Sequence, residues 1–483
     1  MGNEGKEVRV LMVTLALQGH LNPTLRFAKR LVSKGVHVTL ATTEVSLQSK
    51  SPLECTTIAA HDHDDQAPRV HFEFFSDGLD DDNVDADRRN DSEFYFESLR
   101  TKGSINLSNL ITNLTKGDKN KKISCIIINP FTPWAADIAL QHEIPCAVLW
   151  IQACTVFSIY YHYFKHQHLF PYAFENPNDV VSLPAMPVLQ VKELPSFILP
   201  DNLLMKNLLS DLFQRLDNIK WVLGNSFDVL EIDVVASMAS MNAPIIPIGP
   251  LVSPFMLGKE ETVAGNVDIW SVEDSCIEFL DKKPISSVVY ISFGSINVLT
   301  QDQMDILAKA LKNSNRPFLW VIKPPEKNSD MISGELPTGF LEETKDRGLV
   351  VKWCPQERVL MHSSVACFVT HCGWNSTLET VVAGVPVVAY PKWSDQPTDA
   401  KLLVDVLKMG VKMRIYGDDD GVFNDGVVER CIAEVADIGL KLKAADMKKR
   451  AVALKEAAKK AVDDGGSSDM NIDRFISEIK GVS

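Results

Sequence analysis

Residues 353–396 read WCPQERVLMHSSVACFVTHCGWNSTLETVVAGVPVVAYPKWSDQ, and this stretch decides the fold. The apolar, partly β-branched run Val365–Thr370 predicts a buried strand, and His371–Gly373 predicts the turn that ends it. A helical pattern follows, Gly384 ends it, and Val387–Tyr390 begins another strand. This order is typical of a doubly wound α/β sheet, in which ligands bind beyond the carboxyl ends of the strands.

Polar side chains gather at the start of the predicted helix. Asn375 or Ser376 is predicted to cap it, because either side chain can accept a bond from a free backbone N–H. Those N–H groups and the positive end of the helix dipole suit a phosphate, and His371 can donate a further hydrogen bond. Glu379 is placed to hold ribose hydroxyls beside the phosphate. The alternative is a capping box, Ser376-x-x-Glu379, that binds no ligand.

Taken whole, the 44 residues of this stretch resemble the signature of plant secondary-product glycosyltransferases, which use UDP-sugars as donors. The resemblance implies that Trp353 stacks on uracil, that Gln356 and Glu379 hold the ribose, and that a final Gln accompanies glucose as the sugar. The donor residues that it implies within the signature are Trp353, Cys354, Gln356, His371, Gly373, Trp374, Asn375, Ser376, Glu379, Asp395 and Gln396. Among these residues, the resemblance assigns His371, Asn375 and Ser376 to the diphosphate, and Asp395 and Gln396 to the sugar hydroxyls.

Composition limits the classes of protein. The 483 residues are enough for two or three domains, and 45% hydrophobic content allows each a full core. A net charge of −14 disfavours binding to nucleic acid or to an anionic membrane surface. Nine cysteines without a Cys-x-x-Cys pair indicate reduced thiols. Together with the absence of a long apolar run and of a signal-peptide layout, this predicts a cytoplasmic protein, which we expect to be a monomer. No cofactor or metal is expected, since His61 and His63 read as a polar loop.

The first half of the chain alternates between strand and helix patterns. Val8–Leu15 is a predicted strand, Gln18–His20 a loop, and Asn22 a helix cap with Pro23 at the first helical position. Further strands are predicted at 36–41, 70–74, 124–128, 147–151 and 222–225. This alternation predicts a parallel sheet.

A Pro- and Gly-rich segment from Ile245 to Glu260 interrupts the pattern, and a second alternating block follows it. The resulting prediction is the GT-B architecture, an α/β class with two Rossmann-like domains and parallel sheets that face a cleft. We expect an acceptor-binding domain at 1–245, a linker at 246–270, a UDP-sugar-binding domain at 271–455 and a helical segment at 456–483 that packs back on the first domain. In the second block, Thr300 and Gln303 predict a capping box. The Gly294-Ser295 turn is a second phosphate-loop candidate, and the resemblance implies that Ser295 contacts phosphate.

His20 follows the first strand, at the edge that should face the cleft, and it matches the catalytic His of the family directly before Asn22-Pro23. Its role would be to take a proton from the acceptor while the acceptor attacks the anomeric carbon with inversion. The family's usual orienting Asp is replaced here by Asn129, which can orient an imidazole but cannot neutralise an imidazolium. A weaker base suits an acceptor that is already acidic.

We therefore predict glucosylation of a small plant aromatic carboxylate or polyphenol, as in the family's subgroup that forms glucose esters of phenolic acids. C-glucosylation of polyhydroxylated aromatic ketones or flavonoids is the alternative. Candidate acceptor-binding residues are Phe94, Phe131, Trp150 and Gln152, for which ordinary core packing is the competing interpretation.

Two other classes of protein compete with a glycosyltransferase. A Rossmann dehydrogenase lacks support, because no G-x-G-x-x-G follows the first strand. A non-catalytic UDP-sugar-binding protein would not need both His20 and the full donor segment.

Overall fold

The computed structural model describes residues 7–43, 69–79, 91–116, 122–172, 174–240, 244–260, 275–294, 299–322, 334–413, 426–437 and 442–482. The strands of the first half are β1 (Arg9–Val13), β2 (His37–Thr43), β3 (Val70–Phe75), β4 (Cys125–Ile128), β5 (Cys146–Trp150), β6 (Val180–Val181), β7 (Leu189–Gln190), β8 (Trp221–Gly224) and β9 (Ile245–Pro247). Seven of them form one parallel sheet in the order β3-β2-β1-β4-β5-β8-β9, and β6 and β7 form a separate antiparallel pair.

Helices flank this first sheet, as the alternating pattern predicts. Their bounds are Gln18–Ser33 (α1), Ser92–Ser98, Ser104–Thr115, Ala135–Gln141, Cys154–Lys165, Leu203–Gln214 and Asp228–Ser237, with a π-helical turn at Leu99–Gly103.

The second half forms a parallel sheet of six strands in the order β12-β11-β10-β13-β14-β15. Its strands are β10 (Val288–Ser292), β11 (Phe318–Val321), β12 (Gly348–Val351), β13 (Val365–Thr370), β14 (Val387–Ala389) and β15 (Gly410–Lys412). Its helices are Ser275–Asp281, Gln301–Ser314, Phe340–Thr344, Gln356–Met361, Trp374–Ala383, Gln396–Lys401, Val427–Ala436 and Leu442–Val462, and Ser467–Val482 ends the chain. The predicted pair of parallel α/β sheets is therefore confirmed.

Local signals account for several of these boundaries. The predicted capping box is present, since the Thr300 side chain accepts from Gln303 and the Gln303 side chain accepts from the Thr300 backbone. Gly384 ends helix Trp374–Ala383, hereafter the signature helix, in the left-handed conformation that favours glycine.

The start of α1 differs from the prediction. The helix begins at Gln18, so His20 lies in its first turn and Pro23 lies inside it, where Asn22 was predicted to cap it. Pro23 has no N–H, and the Gly19 carbonyl one turn earlier consequently lacks its helical donor. The Asn375 side chain in the second half of the chain supplies one, with Nδ2 3.0 Å from that oxygen.

The start of the signature helix also differs from the prediction. Gly373, rather than Asn375 or Ser376, is the capping residue, and no side chain caps the helix. Asn375 is directed at the first domain, and the Ser376 hydroxyl accepts a hydrogen bond from Gln356 Nε2 at 3.0 Å. Both polar side chains are committed to tertiary contacts, so the alternative of a capping box that binds no ligand is also wrong.

Two segments from later in the chain complete the first sheet. Strand β9 pairs with β8, so the first sheet extends into the start of the segment that was predicted to be a linker. The last helix packs on the outer face of the same sheet, where Trp221 Nε1 donates to Glu478 at 2.6 Å and the Trp221 ring lies 5.4 Å from that of Phe475. Among the described residues, no helix combines the length and the apolar character needed to cross a membrane.

Candidate active site

The strand register brings the chemistry-bearing residues together. In the first sheet Val13 pairs with Ile128, so the segments that follow β1 and β4 emerge side by side. In the second sheet Ser292 pairs with Thr370, so the segments after β10 and β13 are likewise adjacent. Each pair lies where the strand order reverses, which is where open parallel sheets bind their ligands.

His20 and Asn129 meet at the first of these points. The His20 Nδ1 atom lies 3.0 Å from Asn129 Oδ1, which also accepts from the Phe131 backbone N–H at 3.0 Å. The Asn129 amide nitrogen lies 3.5 Å from Thr14 Oγ1, and this contact fixes the orientation of the amide. Because Oδ1 is only an acceptor, Nδ1 of His20 must carry the proton. Nε2 is then the unprotonated nitrogen, and it is the atom able to act as a base.

The environment of His20 favours the neutral imidazole. Burial lowers its pKa from 6.5 to about 4, and the hydrogen bond with Asn129 offsets only part of that effect. A carboxylate at position 129 would oppose the shift by stabilising the imidazolium, but the amide carries no charge. His20 is consequently a neutral and weak base at physiological pH.

A series of aromatic rings runs from His20 to the second domain. The Phe131 ring meets His20 edge-on at 5.0 Å, Phe197 lies 6.2 Å from Phe131, and Trp393 lies 5.6 Å from Phe197. Trp393 is two residues before the predicted sugar-binding Asp395. The apolar wall beside the base therefore continues to the segment expected to hold the sugar, and it suits a flat aromatic ligand.

His371 lies against backbone at the second switch point. A Cβ added to Gly294 would approach its Nε2 to 2.7 Å, and one added to Gly373 would approach it to 2.6 Å. Both positions need glycine for the imidazole to remain in place, and Gly294 also has φ +77°. Burial lowers the pKa of His371 to about 4, so it is neutral and able to serve as a hydrogen-bond donor. Ser295, the other predicted phosphate contact, lies outside the described residues.

Gln356 organises the predicted ribose site. Its Nε2 donates to Ser376 Oγ at 3.0 Å and to Glu379 Oε2 at 2.8 Å. Its Oε1 accepts from the Tyr290 hydroxyl at 2.9 Å, and that hydroxyl lies 3.3 Å from the Cys354 thiol. The structure thus brings four predicted donor residues into one network. Trp353, the predicted uracil platform, is half-buried next to Cys354.

Charged groups surround Glu379, which is nearly buried. Its pKa is raised to about 7, mainly by burial and in addition by the nearby carboxylate of Glu357. Arg26 on α1 of the first domain lowers it, with a guanidinium nitrogen 3.5 Å from Glu379 Oε1. Arg26 also forms an ion pair with Glu357.

The predicted sugar-binding residues lie at the start of helix Gln396–Lys401. Gln396 Oε1 accepts from the Lys392 and Trp393 backbone N–H groups at 3.0 and 3.3 Å, which leaves the Gln396 amide N–H groups to face a ligand. Burial raises the pKa of Asp395 to about 6, and the side chain of Asp399 one turn later lowers it. Asp399 is fully buried and no described group donates to either of its oxygens. Burial raises its pKa and so favours the protonated form, which could donate to Asp395.

Direct hydrogen bonds join the two domains at the signature helix. Besides the contact between Asn375 and Gly19, Trp374 Nε1 donates to the Asn225 carbonyl at 2.7 Å. The Trp374 indole is buried in that contact, so only the Trp374 backbone is available to contact the UDP-sugar donor. The N-terminus of the signature helix and the predicted base, His20 on α1, thereby lie on the two sides of this contact.

The four predicted acceptor residues fall in different places. Phe131 lines the wall beside His20, and buried Gln152 donates to Ser394 Oγ at 3.4 Å across the domain boundary. Phe94 is half-buried on helix Ser92–Ser98. Trp150 corrects the prediction, because it is fully buried and its Nε1 donates to the Ala153 carbonyl at 2.9 Å. It is part of the core because β5 is a central strand covered on both faces.

Three residues at the site carry no sequence signal of their role. Arg26 reads as an ordinary charge on a helix, Tyr290 as a strand core residue and Asp399 as a helix surface acid. Each acquires its role from a partner that only the folded chain supplies. Within the described ranges, no group of three or more His, Cys, Asp and Glu side chains is arranged to hold a metal ion.

Two facing parallel sheets, with a neutral imidazole at one switch point and a glycine-lined helix N-terminus at the other, define a glycosyltransferase of GT-B architecture that uses a nucleotide sugar. The family model described as UDP-glucoronosyl and UDP-glucosyl transferase matches residues 269–415. UDP-glycosyltransferase 84B1 of Arabidopsis thaliana is 47% identical over 99% of both chains. The chain belongs to this family of UDP-glycosyltransferases.

Two further relatives add detail. Gallate 1-beta-glucosyltransferase 84A23 of Punica granatum is 42% identical over 99% of this chain and 92% of its own length. The crystal structure of Os79 from O. sativa in complex with UDP has a TM-score of 0.82 and 30% identity, and the match covers 97% of this chain and 100% of that one. The predictions of the family, of the GT-B fold and of an enzyme are thus confirmed.

Proposed function

We propose that this enzyme transfers glucose from UDP-glucose to the carboxylate of a small aromatic acid, with inversion at the anomeric carbon. The observation that carries the proposal is the pairing of His20 with Asn129 instead of a carboxylate. The pKa of His20, about 4, makes this imidazole a poor base for an alcohol. A carboxylic acid has a similar pKa, near 4, so proton transfer to Nε2 is nearly balanced and the ionised acid needs none.

The donor is assigned to the second domain. The backbone N–H groups at the start of the signature helix and the imidazole of His371 are arranged for a diphosphate. Glu379 and Gln356 are assigned to the ribose hydroxyls, Trp353 to the uracil ring, and Asp395 with Gln396 to the glucose hydroxyls. The free amide N–H groups of Gln396 and the acceptor oxygens of Asp395 supply both hydrogen-bonding roles for a sugar.

The reaction is a single displacement. An oxygen of the acceptor forms a bond to the anomeric carbon while the bond from that carbon to the UDP oxygen breaks, and UDP leaves with the electron pair. If the acceptor arrives protonated, its proton passes to Nε2 of His20. The N–H groups of the signature helix stabilise the charge that develops on the leaving diphosphate.

The relatives support the choice of acceptor. The Punica granatum relative is named as a gallate 1-beta-glucosyltransferase, and gallate is an aromatic acid. The ring series from Phe131 to Trp393 offers a wall for such a ligand. None of the cysteines in the described part of the chain forms a disulfide, and all of them are buried, which supports the proposed cytoplasmic location.

The test is a UDP-release assay with UDP-glucose and a panel of aromatic acids, phenols and flavonoids, followed by mass spectrometry of the products. Aromatic acids should be the best acceptors, and their products should be esters that mild alkali cleaves. Products that resist alkali but are hydrolysed by acid would be phenolic glucosides, and products that resist both would be C-glucosides. Either result would contradict the proposed ester. If UDP-glucose binds and no acceptor of any class turns over, the protein is a UDP-sugar-binding protein instead.

A matched pair of variants tests the role of His20. His20→Ala should abolish transfer to phenols and reduce transfer to acids much less, because an ionised acid does not depend on a base. Phe131→Leu keeps an apolar wall and leaves the imidazole in place, so it should change the acceptor KM without this difference between acceptor classes.

A further inference from the structure

Arg26 reaches across the domain boundary to the predicted ribose site. It lies six residues after His20 on α1, on the first domain. Its guanidinium forms an ion pair with Glu357 and lies 3.5 Å from Glu379 Oε1, both on the second domain. The side-chain exposures are 17% for Arg26, 22% for Glu357 and 9% for Glu379. Partly buried charges of this kind are screened less than surface pairs, so their mutual effects are larger.

The chain between the two domains holds both partners of the ion pair. Arg26 donates through a second nitrogen to the Leu251 carbonyl at 3.1 Å. The Ser253 hydroxyl donates to Glu357 Oε2, and the Ser253 backbone N–H lies 3.4 Å from Glu357 Oε1. The guanidinium therefore has a fixed position relative to Glu379.

Glu379 accepts hydrogen bonds from ribose hydroxyls best as a carboxylate, because protonation turns one of its oxygens into a donor and weakens the acceptor that remains. One of its oxygens already accepts from Gln356 Nε2 at 2.8 Å. Burial and the charge of Glu357 favour the protonated form and Arg26 favours the ionised form, and with Arg26 present the pKa of Glu379 is about 7. Loss of Arg26 would leave two neighbouring carboxylates without a cation between them, so the pKa of Glu379 would rise further and the protonated form would predominate at neutral pH.

The other titratable groups that face Glu379 do not change charge in this range. Tyr290 and Cys354 lie on the far side of Gln356, and burial raises the pKa of both, that of Cys354 to about 12. Both remain neutral near pH 7. Any change in donor affinity around neutral pH that depends on Glu379 is therefore governed by Arg26 and Glu357.

We propose that Arg26 is a positioning residue for the donor: its guanidinium favours the ionised form of Glu379 as the acceptor for the ribose, and it makes donor affinity depend on contact between the two domains. This inference rests on the proposed assignment of Glu379 to the ribose. The base on α1 and the nucleotide site on the second domain are then linked through one side chain.

The test compares Arg26→Met with Arg30→Met. Arg30 lies one turn later on the same helix and donates to the Ile248 carbonyl at 2.9 Å, not to a carboxylate of the second domain. It is therefore the matched control. Affinity for UDP-glucose without acceptor is measured by calorimetry between about pH 6.5 and pH 9. Arg26→Met should weaken binding about tenfold near pH 7 and regain most of it near pH 9, where Glu379 ionises without help. Arg30→Met should follow the wild-type profile.

Two second-site variants separate this effect from a structural one. In the Arg26→Met background, Glu357→Gln should restore part of the affinity near pH 7, because it removes the repelling charge while keeping an oxygen for Ser253. Glu379→Gln should remove the pH dependence in either background. Arg26→Lys keeps the charge and covers the case in which Arg26→Met fails to fold.

A loss of affinity that is equal at every pH and is not relieved by Glu357→Gln would overturn the inference, and Arg26 would then be only a structural contact between the domains. If the wild-type protein fails to bind UDP-glucose at all, the proposed function itself fails, and that result is separate.

Discussion

The replacement Asn129→Asp should turn His20 into a stronger base and move the enzyme toward less acidic acceptors. The new carboxylate would stand where Asn129 Oδ1 now lies, 3.0 Å from His20 Nδ1. A neighbouring opposite charge stabilises an ionised group by about 1.4–4 kcal/mol. The hydrogen bond from the Phe131 N–H remains, and the Thr14 hydroxyl can turn to donate, so the carboxylate has partners in this buried place.

The magnitude in catalysis follows from that stabilisation. If about half of it is expressed in the transition state, kcat/KM for phenols relative to aromatic acids should rise about 3- to 30-fold. The assay is kcat/KM for a series of phenols and acids of graded acidity, in wild type and in Asn129→Asp. In the wild type, acids should be the better acceptors.

The pH dependence has a definite sign. His20 of the wild type is in its base form above about pH 4, so transfer to acids should stay level through neutral pH. In Asn129→Asp the pKa of His20 rises, and transfer to phenols should fall as the solution is acidified through that higher value. The argument from Asn129 is wrong if weakly acidic alcohols exceed acids in the wild type, or if the variant leaves the acceptor preference unchanged.

Substitutions at three further positions test the donor site and its supports. Gly373→Ala should weaken UDP binding at least tenfold by calorimetry, because its Cβ would lie 2.6 Å from Nε2 of His371 and displace the ring. Asp399→Asn keeps a donor for Asp395 and should preserve the KM for UDP-glucose, whereas Asp399→Leu should raise that KM several-fold with little change in UDP affinity. Trp374→Phe leaves the buried Asn225 carbonyl without its hydrogen-bond donor. It should lower the free energy of unfolding by about 1–3 kcal/mol, as measured by chemical denaturation.

The glycine prediction has a control within the chain. A Cβ added to Gly481 would have no atom within 4 Å, so Gly481→Ala should leave UDP affinity unchanged. Equal UDP affinity in Gly373→Ala and Gly481→Ala would show that His371 does not contact the diphosphate. If Asp399→Asn and Asp399→Leu raise the KM for UDP-glucose equally, Asp399 does not act as a hydrogen-bond donor to Asp395.

The strands and the donor segment could be read from the sequence because their signals are local. Strand β13 has the predicted bounds, since a short apolar run with β-branched residues between turn residues has few other solutions. Gly384 ends its helix as predicted because a left-handed residue is a local requirement. The signature fixes the family for the same reason, since its polar residues follow strand and helix ends in one continuous segment.

The starts of the two helices that carry the site were not readable in this way. Asn375 is a good capping residue by type, but its amide meets Gly19, which is 356 positions away in the chain. That contact also explains how α1 continues through Pro23 and places His20 in a helical turn. A capping signal is local and a bond between domains is not, so propensity alone selects the wrong start.

The sequence by itself determined the α/β class, the order of the strands along the chain and which residues we propose as the base and as contacts of the donor. Only the tertiary structure decided which charges surround them: Arg26 meets Glu357 from 331 positions away, and His20 becomes neutral because the fold buries it against Asn129. Ionisation depends on burial and on neighbouring charges in three dimensions, and neither is a property of a residue's place in the sequence.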